Sequence, residues 1–339
     1  MNIIANVYRG GAVESSHSGH VAVVDVEGRL RYFYGDPYRM TYGRSVMKPI
    51  QAIPVITTGT AERFALDEAD LALCCGSHSG DPRHRARVYD MLRRAGQKEA
   101  VLQCGTHVPR DTESYHRLIR EQKPLTPVYS NCSGKHAGMV ATAVHMGEDL
   151  ATYHLLDHPV QRRILDMVAE MTRYPRKRIS IGVDGCSVPA HRLPLFHLAW
   201  AYARLAAPRS ISPGYVREAA VRIANAMTAQ PEMVAGRGRY CTDLMEAFGG
   251  RIIGKLGAEA VYCVADREWG LGIAVKIEDG AERVLYTVVN EVLRQLRIGT
   301  DGALDRLAKY TAPDVKNMSG KAVGQIQADF MLRLAERKR

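Results

Sequence analysis

The chain has 339 residues, 46% hydrophobic and 24% charged, with a formal net charge of +10. This length allows one large domain or two ordinary ones of roughly 100–200 residues each. Thirty Gly and 15 Pro without a period exclude collagen-like and low-complexity chains, and no apolar run approaches the roughly 18 residues of a membrane span.

The opening MNIIANVYRGG lacks a basic n-region and a long apolar stretch, so no signal peptide is expected. Seven Cys, with Cys74 and Cys75 adjacent and no C-x-x-C, fit reduced thiols in a cytoplasmic protein better than a disulfide framework. The basic excess is mostly Arg and is spread widely, as at Arg83, Arg85 and Arg87, without interleaved aromatics. It reads as a solvated face, so neither nucleic acid nor membrane is expected as a partner. A basic field favours anionic or zwitterionic substrates.

In chain order, Ile3–Tyr8, His20–Val26 and Leu30–Phe33 read as strands, the last two joined by a turn at Glu27-Gly28. The middle reads as helical. One helix is expected from Pro82, capped by Asp81, to about Gly96. Others span about His136–Met146, Pro159–Thr172, Pro194–Leu205 and Tyr215–Met227, and Pro208–Pro213 is a loop. Strands return at Arg251–Leu256, Val261–Ala265 and Gly270–Ile277. An amphipathic helix follows at about Glu282–Leu296, with Val284, Val288, Val292 and Leu296 on one stripe. The order strands, helices, strands, helix implies an α/β fold if the two strand groups share one sheet, the helices forming an insertion. The expected division is a discontinuous sheet domain, 1–55 and 240–339, and a helix-rich region, 56–239.

Chemistry concentrates around lysines set among small and apolar residues. In Ser45-x-x-Lys48, Pro49 is tolerated only in a first helical turn, so a helix begins near Ser45. The Ser hydroxyl then sits at the positive end of the helix dipole, with Lys48 one turn along the same face. The apolar run Pro49–Thr57 predicts a buried helix, and a buried Lys loses proton affinity. Alone, this motif reads better as an N-cap Ser beside a snorkelling Lys. Ser77, in Cys75-Gly-Ser-His-Ser-Gly-Asp81, lies between the apolar Leu71–Leu73 and a helix, and an exposed turn is expected there. In Gly254-Lys255-Leu-Gly257 the glycines allow a close approach to a late strand.

Together these follow the order S-x-x-K, Ser motif, K-x-G of serine β-lactamases and penicillin-binding proteins. Ser-His-Ser and Lys-Leu-Gly depart from that pattern and disfavour a plain β-lactamase. Asn131-Cys132-Ser-Gly-Lys135-His136 and Asp184-Gly-Cys186 each put a thiol in a Gly-containing turn. Their spacing matches no zinc finger, and two partly buried thiols or a Cys–His136 pair remain open readings.

These motifs, with Arg44 ahead of Ser45, Cys104-Gly-Thr-His107-x-Pro109 and the run 131–139 (NCSGKHAGM), resemble the rhizobial-type, or class 3, L-asparaginases. The likeness runs from about His20 to beyond Lys276. It implies a serine β-lactamase/glutaminase-like fold, with a mainly antiparallel sheet flanked by helices, and a homodimer. It implies two Ser-Lys pairs, Ser45 with Lys48 and Ser77 with Lys255. It implies one zinc ion per chain held by Cys132, Lys135 and Cys186, and a substrate shell in which Asp184 holds the α-amino group, with Arg44, His136 and Asn131 nearby. His191-Arg192, after Pro189, is more polar than expected for that wall and bears on substrate choice. The expected activity is cytoplasmic hydrolysis of L-asparagine to L-aspartate and ammonia through an acyl-enzyme. The alternatives are another penicillin-recognising amidohydrolase or peptidase, and a zinc-binding protein without activity.

Overall fold

The structure is a computed structural model that describes residues 2–336. In chain order it runs β1 (Ile3–Arg9), β2 (Ala12–Asp25), β3 (Leu30–Tyr34) and β4 (Met40–Tyr42), then a helical stretch. That stretch includes a hairpin of β5 (Ser180–Val183) and β6 (Pro189–Pro194). There follow β7 (Ile252–Gly257), β8 (Val261–Asp266), β9 (Leu271–Ile277), β10 (Asp314–Lys316), β11 (Ala322–Ala328) and β12 (Arg333–Leu334). The chain forms two compact units. The sheet unit comprises Met1–Val46, Leu193–Ala207 and Asp243–Arg339; the helical unit comprises Met47–Arg192 and Pro208–Thr242.

In the sheet unit the strands lie in the order β10-β11-β1-β2-β9-β8-β7, with β3 on β2 and β12 on β3. The paired strands are antiparallel, and β2 meets β9 with His20 opposite Lys276 and Val21 opposite Val275. The two strand groups therefore share one sheet, the condition on which the α/β reading with a helical insertion depends. The antiparallel sheet with helices is the expected α/β class. β2 starts eight residues before the expected His20, because its polar first half (Glu14–Ser18) pairs with β1 at a part of the sheet where side chains are largely exposed. That stretch carries no hydrophobic signal. The late strands β10–β12 were not expected from the sequence either. They are short or largely exposed, and pairing with β1 and β3 creates them.

Helix Leu195–Ala206 lies on β9. The contact is so close at Gly272 that a Cβ there would sit 1.8 Å from the Ala199 carbonyl oxygen and 2.3 Å from the Ala203 nitrogen. The glycine is thus needed for packing. The same helix donates from Trp200 Nε1 to the Val26 carbonyl (3.2 Å) and from the Tyr202 hydroxyl to the Val46 carbonyl (2.7 Å). Helix Glu282–Gln295 buries Val284, Val288 and Val292, as its stripe predicts. Leu296 is only half-buried at the C-cap.

The helical unit centres on helix Lys48–Thr57, buried from Lys48 to Ile56. It packs against helices Ser133–Met146, Pro159–Thr172 and Gly214–Ala229. A 3-10 turn, Arg44–Met47, precedes it, and Pro49 occupies its first turn, where a missing N–H is harmless. Leu71–Leu73 belong to helix Glu68–Cys74, whose N-terminus carries a reciprocal capping box of Asp67 and Asp70. The helix expected from His136 starts at Ser133. Gly134 allows this: a Cβ there would meet the Leu73 carbonyl oxygen at 2.7 Å.

Gly272→Ala is expected to destabilise the protein by about 3 kcal/mol, because the added methyl must displace helix backbone rather than a flexible side chain. Equilibrium denaturant melts check this. Parent-like stability would show that the helix shifts freely on β9.

Candidate active site

Lys48 is the first residue of its helix, and its side chain is 1% exposed. Its Nζ is hydrogen-bonded to the Gly76 carbonyl (2.6 Å), the Ser77 Oγ (3.1 Å) and the Asn131 carbonyl (3.2 Å). As an ammonium it donates all three protons. As an amine it donates to the two carbonyls and turns its lone pair to Ser77. Two main-chain oxygens thus aim this nitrogen at a serine hydroxyl, the arrangement a base needs to activate a nucleophile. A hydroxyl bonded to Lys48 is that of Ser77.

Ser77 is half-buried, and its neighbours His78 and Ser79 are buried, so the loop after helix Glu68–Cys74 is no exposed turn. The loop is held from several sides. The Ser77 N–H donates to the Val234 carbonyl (2.8 Å) and the Ser79 hydroxyl to the Ala235 carbonyl (2.8 Å). His78 Nδ1 accepts from the Gly80 N–H (3.1 Å), and Ser133 Oγ donates to the Val128 carbonyl (3.0 Å). His78 Nε2 must then carry the proton it shares with Ser133 Oγ at 3.0 Å. Burial, followed by the field of His84, holds His78 well below the usual histidine range, so it is a neutral strut.

The second constellation lies in the same unit. Lys135 Nζ donates to Cys186 Sγ at 3.0 Å, and Cys132 and Cys186 share a hydrogen bond. The bond from Cys132 brings Cys186 down to about 5, against the opposing effect of burial and with help from Lys135. The same bond, with burial, pushes Cys132 up to about 12. Burial opposes charge on Lys135, but Cys186, Cys132 and Asp184 together raise it above the ordinary lysine value. The trio is thus a buried thiolate, thiol and ammonium. Asn131 joins it to Lys48, because its backbone oxygen accepts from Lys48 and its Oδ1 lies 3.1 Å from Cys132 Sγ. Asp184, half-buried, stands at the tip of the β5–β6 hairpin, whose turn holds Ser187 at φ +72°.

His136 is fully buried and shares a 2.7 Å hydrogen bond with the Tyr153 hydroxyl, which also accepts from the Gln103 N–H (2.8 Å). Tyr153 and Ser133 thus support the site. The sequence gives no sign of Tyr153, which sits in an irregular segment, and Ser133 reads there only as part of the Asn131–Met139 run.

Ser45 and Lys255 belong to the sheet unit. Ser45 is half-buried in the Arg44–Met47 turn, which Arg44 enters at φ +49°. Lys255 is buried on β7, opposite Cys263, and donates to the Leu256 carbonyl (2.7 Å). The glycines around it do admit close neighbours. A Cβ at Gly257 would lie 2.9 Å from the Gly43 carbonyl oxygen, and one at Gly254 would lie 2.5 Å from Leu244. The end of the Lys255 strand therefore abuts the chain entering the Ser45 turn.

A deeply buried lysine beside a serine, within a frame of fixed carbonyls, is an arrangement that can support amine-assisted nucleophilic chemistry. The family model of L-asparaginase II matches residues 5–328. The chain belongs to the L-asparaginase II family, and this makes it an asparaginase-type hydrolase with a small-molecule substrate. The curated proteins include no match. Similar solved structures include a β-lactamase from Mycobacterium bovis, at 14% identity over 86% of this chain and 95% of that one (TM-score 0.39). Another is the D-alanine carboxypeptidase AmpC from Burkholderia cenocepacia, at 16% identity over 80% of this chain and 93% of that one (TM-score 0.37).

Lys48→Met should cost about 2–4 kcal/mol of stability, since it leaves the Gly76 and Asn131 carbonyls buried without their donor. Lys48→Arg should recover part of that loss by restoring a donor. Paired melts of the two variants test the clamp. Equal stability of Lys48→Met and the parent would show that other donors replace the amine.

Proposed function

We propose that the protein hydrolyses L-asparagine to L-aspartate and ammonia through a serine acyl-enzyme. The observation that carries this reading is the Lys48 amine held 3.1 Å from the Ser77 hydroxyl in a protein of the L-asparaginase II family. Ser45 attacks the side-chain amide carbon, and its proton passes to Lys48, with Ser77, hydrogen-bonded to that amine, as the relay. The proton then goes to the leaving nitrogen, ammonia departs, and water hydrolyses the ester. Lys255 supplies positive charge to the second serine. Arg44, Asp184, His136 and Asn131 bind the substrate, Asp184 taking the α-amino group. A second reading, favoured by the same 3.1 Å contact, makes Ser77 the nucleophile and Ser45 its support.

Two sulfurs and one nitrogen converge at Cys132, Lys135 and Cys186; the two thiols are ordinary zinc donors once deprotonated, and the amine is an unusual one. One zinc ion per chain, held there, would supply positive charge beside the substrate. Lys135 would have to be neutral to bind it. Among the described residues no cluster of three His, Cys, Asp or Glu side chains is placed to hold a metal, so the lysine is an essential member of this set. We further propose a cytoplasmic homodimer.

Purified protein should release ammonia from L-asparagine, with glutamine much slower and a chromogenic cephalosporin inert. A substrate held at both α-groups fixes the reach of its amide, and one extra methylene misplaces it. Rapid cephalosporin turnover without ammonia release would sink the reading. Ser45→Ala and Ser77→Ala should each remove at least about 99% of turnover, and the double variant should be hardly worse, because groups that act as one unit lose activity non-additively. Mass spectrometry of the trapped acyl-peptide decides which serine is modified. Metal analysis after dialysis should find near-stoichiometric zinc in the parent and little in Cys186→Ala; equal contents would refute the zinc assignment.

A further inference from the structure

The run Cys104-Gly-Thr-His107-Val-Pro109 is an irregular segment whose two ends are fixed to the candidate site. At one end Cys104 is buried, and its Sγ donates to the Pro127 carbonyl (3.5 Å), in the turn that leads to Asn131. At the other end Pro109 is buried against Gly80, where an added Cβ would lie 3.0 Å from the Pro109 Cβ. Just beyond, the Asp111 N–H donates to the Ser79 carbonyl (2.9 Å), and the Asp111 carboxylate caps helix Thr112–Arg120. The segment therefore spans from the Asn131 loop to the Gly76–Gly80 loop, the two loops whose carbonyls hold Lys48.

Between these anchors Gly105, Thr106, His107 and Val108 are exposed. The middle of the span is thus open to solvent while its ends touch the loops of Lys48. Partial burial lowers the proton affinity of the His107 ring below the usual histidine range. Arg110 and Lys48 act in the same direction, and Cys132 and the Val108 main chain act against them. An imidazole that solvent reaches, on a span tied to both sides of the Lys48 amine, can meet a small molecule bound there. A neutral imidazole offers one N–H donor. The substrate expected here is a zwitterion: its amide end goes to the serines and its ammonium to Asp184, which leaves the α-carboxylate to be bonded.

We propose that Gly105–Val108 is the rim of the substrate entrance and that His107 is a specificity-determining residue on it, donating to the α-carboxylate of a bound amino-acid amide. The inference rests on the asparaginase reading and extends it to a residue outside the two Ser-Lys pairs and the sulfur site. A hydrogen bond to a carboxylate is charge-assisted and directional. The α-carboxylate is unchanged in the reaction, so this bond is the same in ground state and transition state, and its loss appears in KM rather than in kcat.

The test uses the full chain, its variants His107→Ala and His107→Gln, and diethyl pyrocarbonate labelling of the parent read residue by residue by peptide mass spectrometry. His116, exposed on helix Thr112–Arg120, is the internal control. His107→Ala should raise KM for asparagine about tenfold with a smaller change in kcat, and His107→Gln, which keeps a donor, should recover part of the loss. Thermal midpoints should stay near the parent's, since an exposed side chain contributes little to folding. In the parent, saturating L-aspartate should slow the labelling of His107 and leave that of His116 unchanged. A KM in His107→Ala within about twofold of the parent's overturns the proposal. So does labelling of His107 that L-aspartate leaves unchanged, or slows no more than that of His116. Should His107→Ala fail to fold, the labelling contrast in the parent decides alone. If the parent releases no ammonia from asparagine, the asparaginase reading fails on its own. The same contrast then decides for His107: selective protection by L-aspartate upholds the contact, and its absence rejects it.

Discussion

The Lys48 amine is the interaction on which the candidate site depends. One nitrogen, buried at the start of a buried helix, meets oxygens from two separate loops, Gly76–Ser77 and Asn131. Side chains on a helix lean toward its N-terminus, so a lysine in the first position reaches past the helix end. Pro49 fixes where that end falls. The two carbonyls cannot be left without a donor in the interior, so the loops are constrained to the length of one lysine side chain. The third direction of the nitrogen belongs to Ser77. The contact that organises the fold here is also the one that can exchange a proton.

Asn131 extends this order to the sulfur cluster. Its main chain answers Lys48 and its side chain answers Cys132, and it immediately precedes the turn into helix Ser133–Met146. Three buried histidines in the same unit, His78, His136 and His191, are held below the ordinary range chiefly by burial. The permanent or switchable charges are left to lysines, thiols and Asp184.

Much of this was legible in the sequence where a residue type carries a local rule. Pro49 and Pro82 mark helix starts, the stripe Val284, Val288 and Val292 marks a helix face, and small residues around Lys48, Lys135 and Lys255 mark burial. What remained hidden depends on partners distant in sequence. The first half of β2 is polar and becomes a strand because β1 lies beside it. β11 exists because β1 offers it a free edge. The bond from Lys48 to Ser77 spans 29 positions and runs between a helix start and a loop. No periodicity records such a contact. The polarity of His191-Arg192 was visible as an oddity, but the burial of the histidine was not.

The boundary between the two units falls between Val46 and Met47, inside the Ser45-x-x-Lys48 motif itself. Each unit therefore carries one hydroxyl and one amine: Ser45 and Lys255 in the sheet unit, Lys48 and Ser77 in the helical unit. Each is made rigid by its own means. In the sheet unit the Ser45 turn is tied down by the Tyr202 hydroxyl on Val46 and by the approach of Gly43 to Gly257, one strand position beyond Leu256, whose carbonyl receives the Lys255 proton. In the helical unit two carbonyls hold Lys48 on Ser77. The Ser-Lys pairs implied by the family resemblance each draw one member from either unit. The three-residue spacing of Ser45 and Lys48 is therefore best understood as a connection between two rigid supports. Pro49 and the two carbonyls fix one end, and Gly257 with Tyr202 fixes the other.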